Sequence, residues 1–428
     1  MTVLWAILVI LPLIISLILL KNSRHRNPIF YFVIYQIIMS IGIFYIIDFS
    51  NDADYIHARI LALSSVTILF FCIYRGMFAQ DIVILRNDYF SRQFEPMRSG
   101  QKATIVIIFV FSTLISIYYY TVLVGYNLSA LAISGGLEDS QESFTTLRLQ
   151  AYAGQNYNVS GPINQFKNTL FPITLFCLFL MISKKDNFKS NILYKVIFYI
   201  AALPLYFYIV AGTGQRTFLF FTIAAFFVYF YNNKITLNLK LSLFIVAALS
   251  FMFSILSVFL GRSNESGIWA GISQLFDRII RSNQLGSVMG MRLIANRDIP
   301  MGQEWMEFIV GLIPGQSGSI LANEVHAYMF GSMRGTAPVN LWISTYYNFG
   351  YAGVPIVAII ILTLLLSLER FSLRVKKTIH NEMMFAFLFF YTAILPVGNP
   401  FQIINNGILA ILLLAAMLMI GRKQRNYI

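Results

Sequence analysis

Residues 2–20 read TVLWAILVILPLIISLILL without one charged side chain, and residues 21–27 follow as KNSRHRN. A hydrocarbon core about 30 Å thick is crossed by about 20 apolar residues in a helix. Lipid offers the backbone no hydrogen-bond partners, so such a run closes its own bonds as an α-helix. The basic collar then marks the cytoplasmic side. No basic residue precedes the run and no small-residue cleavage site closes it. It therefore reads as a retained helix, not a signal peptide.

The pattern recurs along the chain. Eleven spans are expected, near residues 3–20, 28–47, 60–80, 103–125, 168–183, 192–211, 217–231, 241–260, 341–368, 383–398 and 404–420. Of the 428 residues, 58% are hydrophobic and 11% charged, with mean hydropathy +0.70. Soluble domains carry about 25% charged residues. The expected fold is an all-α polytopic membrane protein, one integral domain over residues 1–428, with no appended soluble domain. Cys72 and Cys177 lie inside apolar runs and point to packing, not to a disulfide or a thiolate metal site.

Loop charge sets the orientation. Every second loop is basic, from Lys21, Arg24 and Arg26 to Arg422, Lys423 and Arg425. Those loops are cytoplasmic, which puts the N-terminus outside and the C-terminus inside. The net charge of +13 is then a topology signal and not a nucleic-acid footprint. Sorted by side, the inside holds 20 basic and 6 acidic residues and the outside 10 and 12. Nine of the ten outer bases are Arg, with Lys167 the exception. Guanidinium binds phosphate oxygens as a planar fork, where ammonium acts as a point charge. The skew suggests an anion site outside; solvated or headgroup-facing arginines are the plainer account.

Two outer loops are long, 126–167 and 261–340. In the second, Ile268, Trp269, Ile272, Leu275, Phe276, Ile279 and Ile280 recur at helical spacing. That predicts an amphipathic helix lying in the interface. Arg278 and Arg281, three apart, would share its face at headgroup depth. They either bind a lipid phosphate or simply anchor the helix. Arg292 and Arg334 lie in the same loop. Upstream, Gly212-Thr213-Gly214-Gln215-Arg216-Thr217 makes a tight outer turn that delivers Arg216 to the mouth of the bundle. Ionisable groups at such depth usually serve a purpose, although a turn cap is the alternative. Glu324 and His326 are the candidates for proton transfer; a surface role fits them as well. The acidic loop Asp48-Phe49-Ser50-Asn51-Asp52-Ala53-Asp54 lacks the Gly and distal Glu of a calcium loop. No metal and no cofactor is expected.

Gly214-Gln215-Arg216-Thr217, Leu312-Ile313-Pro314-Gly315, Gly335-Thr336-Ala337-Pro338 and Tyr346-Tyr347-Asn348-Phe349-Gly350-Tyr351-Ala352-Gly353 follow in that order around the large loop. Together with the hydropathy plan they resemble the oligosaccharide repeat-unit polymerases of bacterial surface polysaccharides, the O-antigen polymerase (Wzy-type) family. Relatives often carry Arg after the proline of the second motif. Here Gly315 stands there, so no phosphate role is carried to it.

The resemblance implies an inverting, metal-free membrane glycosyltransferase of the GT-C type in the inner membrane. Its donor and acceptor would be undecaprenyl-diphosphate-linked oligosaccharides at the periplasmic face. Its partners would be the bilayer, a chain-length regulator and a flippase, with no nucleic acid. On that reading Arg216 and one or more of Arg278, Arg281, Arg292 and Arg334 hold the diphosphate. Glu324 or His326 takes the acceptor's proton. Trp342, Tyr346 and Tyr347 stack on sugars or anchor the interface. Two rivals share much of this pattern: an O-antigen ligase, which delivers polymer to a lipid A core, and a transporter of lipid-linked sugars.

Overall fold

A computed structural model describes residues 2–134, 147, 150–151, 161–183, 192–214, 216–234, 268–311, 321–333, 335–401 and 404–423. The described chain is helical throughout, with no strand among those residues. Six helices are long and apolar enough to cross a membrane: Thr2–Ser23, Pro28–Ile46, Asp52–Phe78, Ser99–Leu123, Ile163–Ser183 and Leu341–Arg374. Each coincides with an expected span. The helices used below are α1 (Thr2–Leu20), α2 (Pro28–Ile46), α3 (Asp52–Phe78), α4 (Gln80–Ser91), α5 (Ser99–Tyr118), α6 (Phe171–Ser183), α7 (Ile192–Val210), α8 (Arg216–Asn232), α9 (Asn283–Ile294), α10 (Gln303–Val310), α11 (Leu321–Phe330), α12 (Leu341–Arg374), α13 (Ile379–Ala393) and α14 (Leu409–Lys423). The expected span at 241–260 lies outside the described residues.

The chain divides into two compact units. The first comprises Met1–Ser91, Ser273–Val375 and Phe389–Ile403, the second Arg92–Ile272, Lys376–Leu388 and Ile404–Ile428. Continuous hydropathy offers no boundary for such a division, because both units are equally apolar.

In the first unit α1, α2, α3 and α12 pack side by side, and α9 lies against α2 and α3. Their core includes Val9, Phe32, Leu61, Ile68, Trp342 and Leu362, all at or near zero exposure. The outward faces of α1 and α3 stay apolar, with Ile18 and Phe70 exposed, as a lipid-facing surface requires. Asn27 caps α2 by accepting from Ile29 and Phe30, and Pro28 occupies its first turn, where no donor is needed. Asn340 caps α12 through Ile343. Within α12, Gly350 has φ +65°. A side chain there is strained, so glycine permits the kink that sets residues 341–349 apart from the rest of the span.

In the second unit α5 packs on α6, and α14 on α5. Three segments are π-helical: Tyr119–Leu123, Phe166–Leu170 and Ile404–Ile408. Lys167, expected in an outer loop, lies inside the second of these and is fully buried. Its Nζ is 4.8 Å from the Tyr119 ring centre and 3.4 Å from Asn168 Oδ1.

Candidate functional site

One end of the first unit carries the start of α3, residues 340–349 of α12, and the helices α9, α10 and α11. Its organising turn is Thr336-Ala337-Pro338-Val339, which runs into the α12 cap. This turn lies on α9 at Gly286, where a Cβ would stand 2.4 Å from the Pro338 carbonyl oxygen. Only glycine admits that approach. Asn340 N donates to Ser287 Oγ at 2.9 Å and Ala337 N to the Ala322 carbonyl at 2.9 Å. The motif that carries the family resemblance is thus pinned between α9 and α11.

Beside it lies a pocket of about 80 Å³. Its polar lining is Glu304, Thr336, Ser344 and Asn399, and its apolar wall includes Phe308 and Leu321. Glu304 is buried. Asn348 Nδ2 donates to its Oε2 at 2.8 Å, Ser344 Oγ to the same oxygen at 3.4 Å, and Leu321 N to Oε1 at 3.3 Å. Burial pushes the Glu304 carboxyl above its ordinary range; the hydrogen bonds from Asn348 and Leu321 oppose this without cancelling it. Trp305, next along α10, donates to Ser344 Oγ at 2.9 Å and fixes that hydroxyl.

Sequence reasoning missed Glu304, and the signal was available. On α10, Glu304 and Phe308 stand four apart on one face, so the carboxylate belongs to the apolar side. Glu307 instead pairs with Gln303 at 2.9 Å on the exposed side.

The predicted residues fall as follows. Arg292 on α9 grips the fully buried Asp54 at the start of α3, Nε to Oδ1 at 3.0 Å and Nη2 to Oδ2 at 2.7 Å. Two of its guanidinium nitrogens are thus given to Asp54, while the side chain stays part-exposed. Glu324 on α11 accepts from Arg297 Nη1 at 2.5 Å. His326, also on α11, has Nδ1 2.6 Å from the Ser332 carbonyl, where a nitrogen must donate. Its Nε2 lies against Gly335, 2.3 Å from where a Cβ would be. Glu324 is thus ion-paired, whereas the Nδ1–H bond to Ser332 leaves Nε2 as the accepting nitrogen of His326.

Trp342, expected near sugar, is fully buried and donates to Gln36 Oε1 at 2.9 Å. It is a core residue of the α2–α12 contact. Tyr346 and Tyr347 are half-buried. Arg278 and Arg281 are exposed, and neither forms an ion pair among the described residues. They lie on the π-helical segment Asp277–Ser282, which continues the helix Ile268–Phe276 and packs on α2. The i to i+5 turn differs from the α-helix expected there. Arg334 lies outside the described residues, as does Pro314-Gly315. Arg216 opens α8 in the second unit, its side chain likewise not described.

No protein-family model, curated protein or solved structure matches this chain.

Chemically, the first unit offers a pocketed carboxylate with raised proton affinity and two exposed guanidiniums. Among the described residues no group of His, Cys, Asp and Glu could hold a metal ion.

Proposed function

We propose that the chain is a membrane glycosyltransferase that polymerises undecaprenyl-diphosphate-linked repeat units into a bacterial surface polysaccharide. In this reading it crosses the inner membrane eleven times, with its N-terminus periplasmic and its C-terminus cytoplasmic. The observation that supports it best is the buried Glu304 carboxylate pocketed against the Thr336-Ala337-Pro338 turn, in a membrane-helix unit that also carries exposed arginines on the segment Asp277–Ser282. Group transfer from a lipid diphosphate needs a cation for the leaving group and an acceptor for the attacking hydroxyl's proton. That unit holds groups suited to both.

Negative charge grows on the diphosphate as its bond to the sugar breaks. Guanidiniums fixed in a water-poor site stabilise that charge without reorganising. Among the described arginines of the large loop, Arg278 and Arg281 are proposed for the task, because Arg292 and Arg297 already hold carboxylates; Arg334, outside the described residues, keeps its proposed part. In the second unit Arg216, at the start of α8, is proposed to bind phosphate in its own right. Tyr346 and Tyr347 supply aromatic faces for sugar.

Deleting the gene should leave lipopolysaccharide capped by a single repeat, whereas loss of all O-antigen from the core would point to a ligase. Complementation with an Arg278→Ala/Arg281→Ala double variant should lower polymer formation by about 100-fold or more, the usual cost of a lost oxyanion donor, at normal protein level. A full-length ladder from that variant would remove both residues from the site.

A further inference from the structure

We infer that the Glu304 pocket is the acceptor subsite: it takes the attacking sugar hydroxyl, and Glu304 removes its proton. The inference rests on the polymerase reading and assigns the base to Glu304 in place of Glu324 or His326. Three observations carry it. The carboxylate is buried yet lines a pocket with Thr336, Ser344 and Asn399. At about 80 Å³ the pocket is too small for an oligosaccharide and large enough for a hydroxyl-bearing edge of one sugar ring. Hydroxyl and amide groups set beside a carboxylate on an otherwise apolar wall suit a neutral polyol better than an anion.

Among the described residues no cation holds the carboxylate. From α12 it meets the neutral Ser344 and Asn348, from residues 395–401 the neutral Asn399, and from α11 the Leu321 backbone. The charged groups of α11 and α10 are occupied elsewhere, Glu324 with Arg297, His326 with Ser332 and Glu307 with Gln303. Glu304 therefore differs from every carboxylate of this unit that is held by a guanidinium. Such a pairing favours the ionised form and weakens a base; neutral amides in a buried site leave it the better proton acceptor.

The step balances. The acceptor hydroxyl oxygen bonds to the anomeric carbon of the donor sugar. The bond from that carbon to the diphosphate oxygen breaks, and the lipid diphosphate leaves with the electron pair. The hydroxyl proton passes to Glu304, which becomes a carboxylic acid and later releases the proton to water.

The test uses the purified full-length protein with lipid-diphosphate-linked repeat units, titrating the acceptor at fixed donor. Glu304→Gln, close to isosteric, should lower kcat by about 100-fold or more with donor KM unchanged. The wild type should show an acidic limb in its pH–rate profile above the ordinary carboxylate range, and the variant's residual rate should lack it. Ala322→Leu narrows the pocket and leaves the carboxylate intact; it should raise acceptor KM about 10-fold, and it covers the case in which Glu304→Gln misfolds. An active wild type with Glu304→Gln within about threefold of it, or with an unchanged acidic limb or an unmoved acceptor KM in Ala322→Leu, overturns the pocket assignment and leaves the polymerase reading standing. A wild type that forms no bond from authentic donor and acceptor overturns both.

Discussion

Glu369 and Glu304 are both buried carboxylates of the first unit, and they keep opposite company. Glu369, on the last turns of α12, is fully buried between Arg75 of α3 and Arg86 of α4. Arg75 Nη2 reaches its two oxygens at 2.8 and 2.9 Å, and Arg75 Nη1 also donates to Ser23 at 3.2 Å. Nearby, Arg26 donates to Tyr89 and to the Ser372 carbonyl, each at 2.8 Å. These charges serve one another and tie α3, α4 and α12 together where the chain leaves its spans. Among the described residues Glu304 has no cation, four neutral neighbours and a pocket in front of it. A carboxylate whose charge is consumed by the fold holds the fold, whereas one kept without a counter-charge is open to chemistry.

The largest expected effect separates the two by stability. Glu369→Gln leaves two buried guanidiniums short of their counter-charge, which costs about 3–5 kcal/mol. Thermal unfolding of the purified protein in detergent measures it. Glu304→Gln should change stability little at low pH, since it exchanges one neutral side chain for another. Equal losses in the two variants would erase the distinction.

A smaller effect gives the distinction a sign. The folded-state pKa of Glu304 lies above its unfolded value, so the carboxyl's contribution is fully present below the ordinary glutamate value of about 4.3. It is lost as pH rises through the folded-state value. Unfolding midpoints followed from pH 4 upward should therefore fall more in the wild type than in Glu304→Gln. Parallel curves would mean that the site does not tax ionisation.

The smallest effect is a control. Arg370 pairs with Asp81 at 3.0 Å, and both side chains are exposed by a third or more. Solvent screens such a pair, so Arg370→Ala should cost less than about 1 kcal/mol in the same melt. A loss comparable to that of Glu369→Gln would show that exposure does not divide structural charges by weight.

What was legible in the sequence follows from what lipid demands of it. Apolar runs must be helices, so α1, α2, α3, α5, α6 and α12 fall where hydropathy places them. Helices α7, α8, α13 and α14 overlap the expectations at 192–211, 217–231, 383–398 and 404–420, and none of them is among the six helices long and apolar enough to cross a membrane. Polar segments carry weaker constraints. Arg292 and Asp54 are 238 residues apart, and nothing local says that one will hold the other. An aromatic at the start of a span reads alike whether it faces sugar or core; only packing shows that Trp342 is core. The π-helical segments leave no mark in hydrophobic spacing, so the segment that carries Arg278 and Arg281 reads in sequence as ordinary α-helix. Glu304 was readable, one acid on the apolar side of a short helix, but its meaning depends on the pocket that α11 and α12 complete.

The central claim is bond formation by this protein alone. Purified protein in sealed vesicles, given lipid-diphosphate-linked repeat units and no ion or voltage gradient, should convert them to longer glycans on lipid with release of undecaprenyl diphosphate. Movement of the repeat units across the bilayer with no new glycosidic bond would contradict the account and make the protein a transporter.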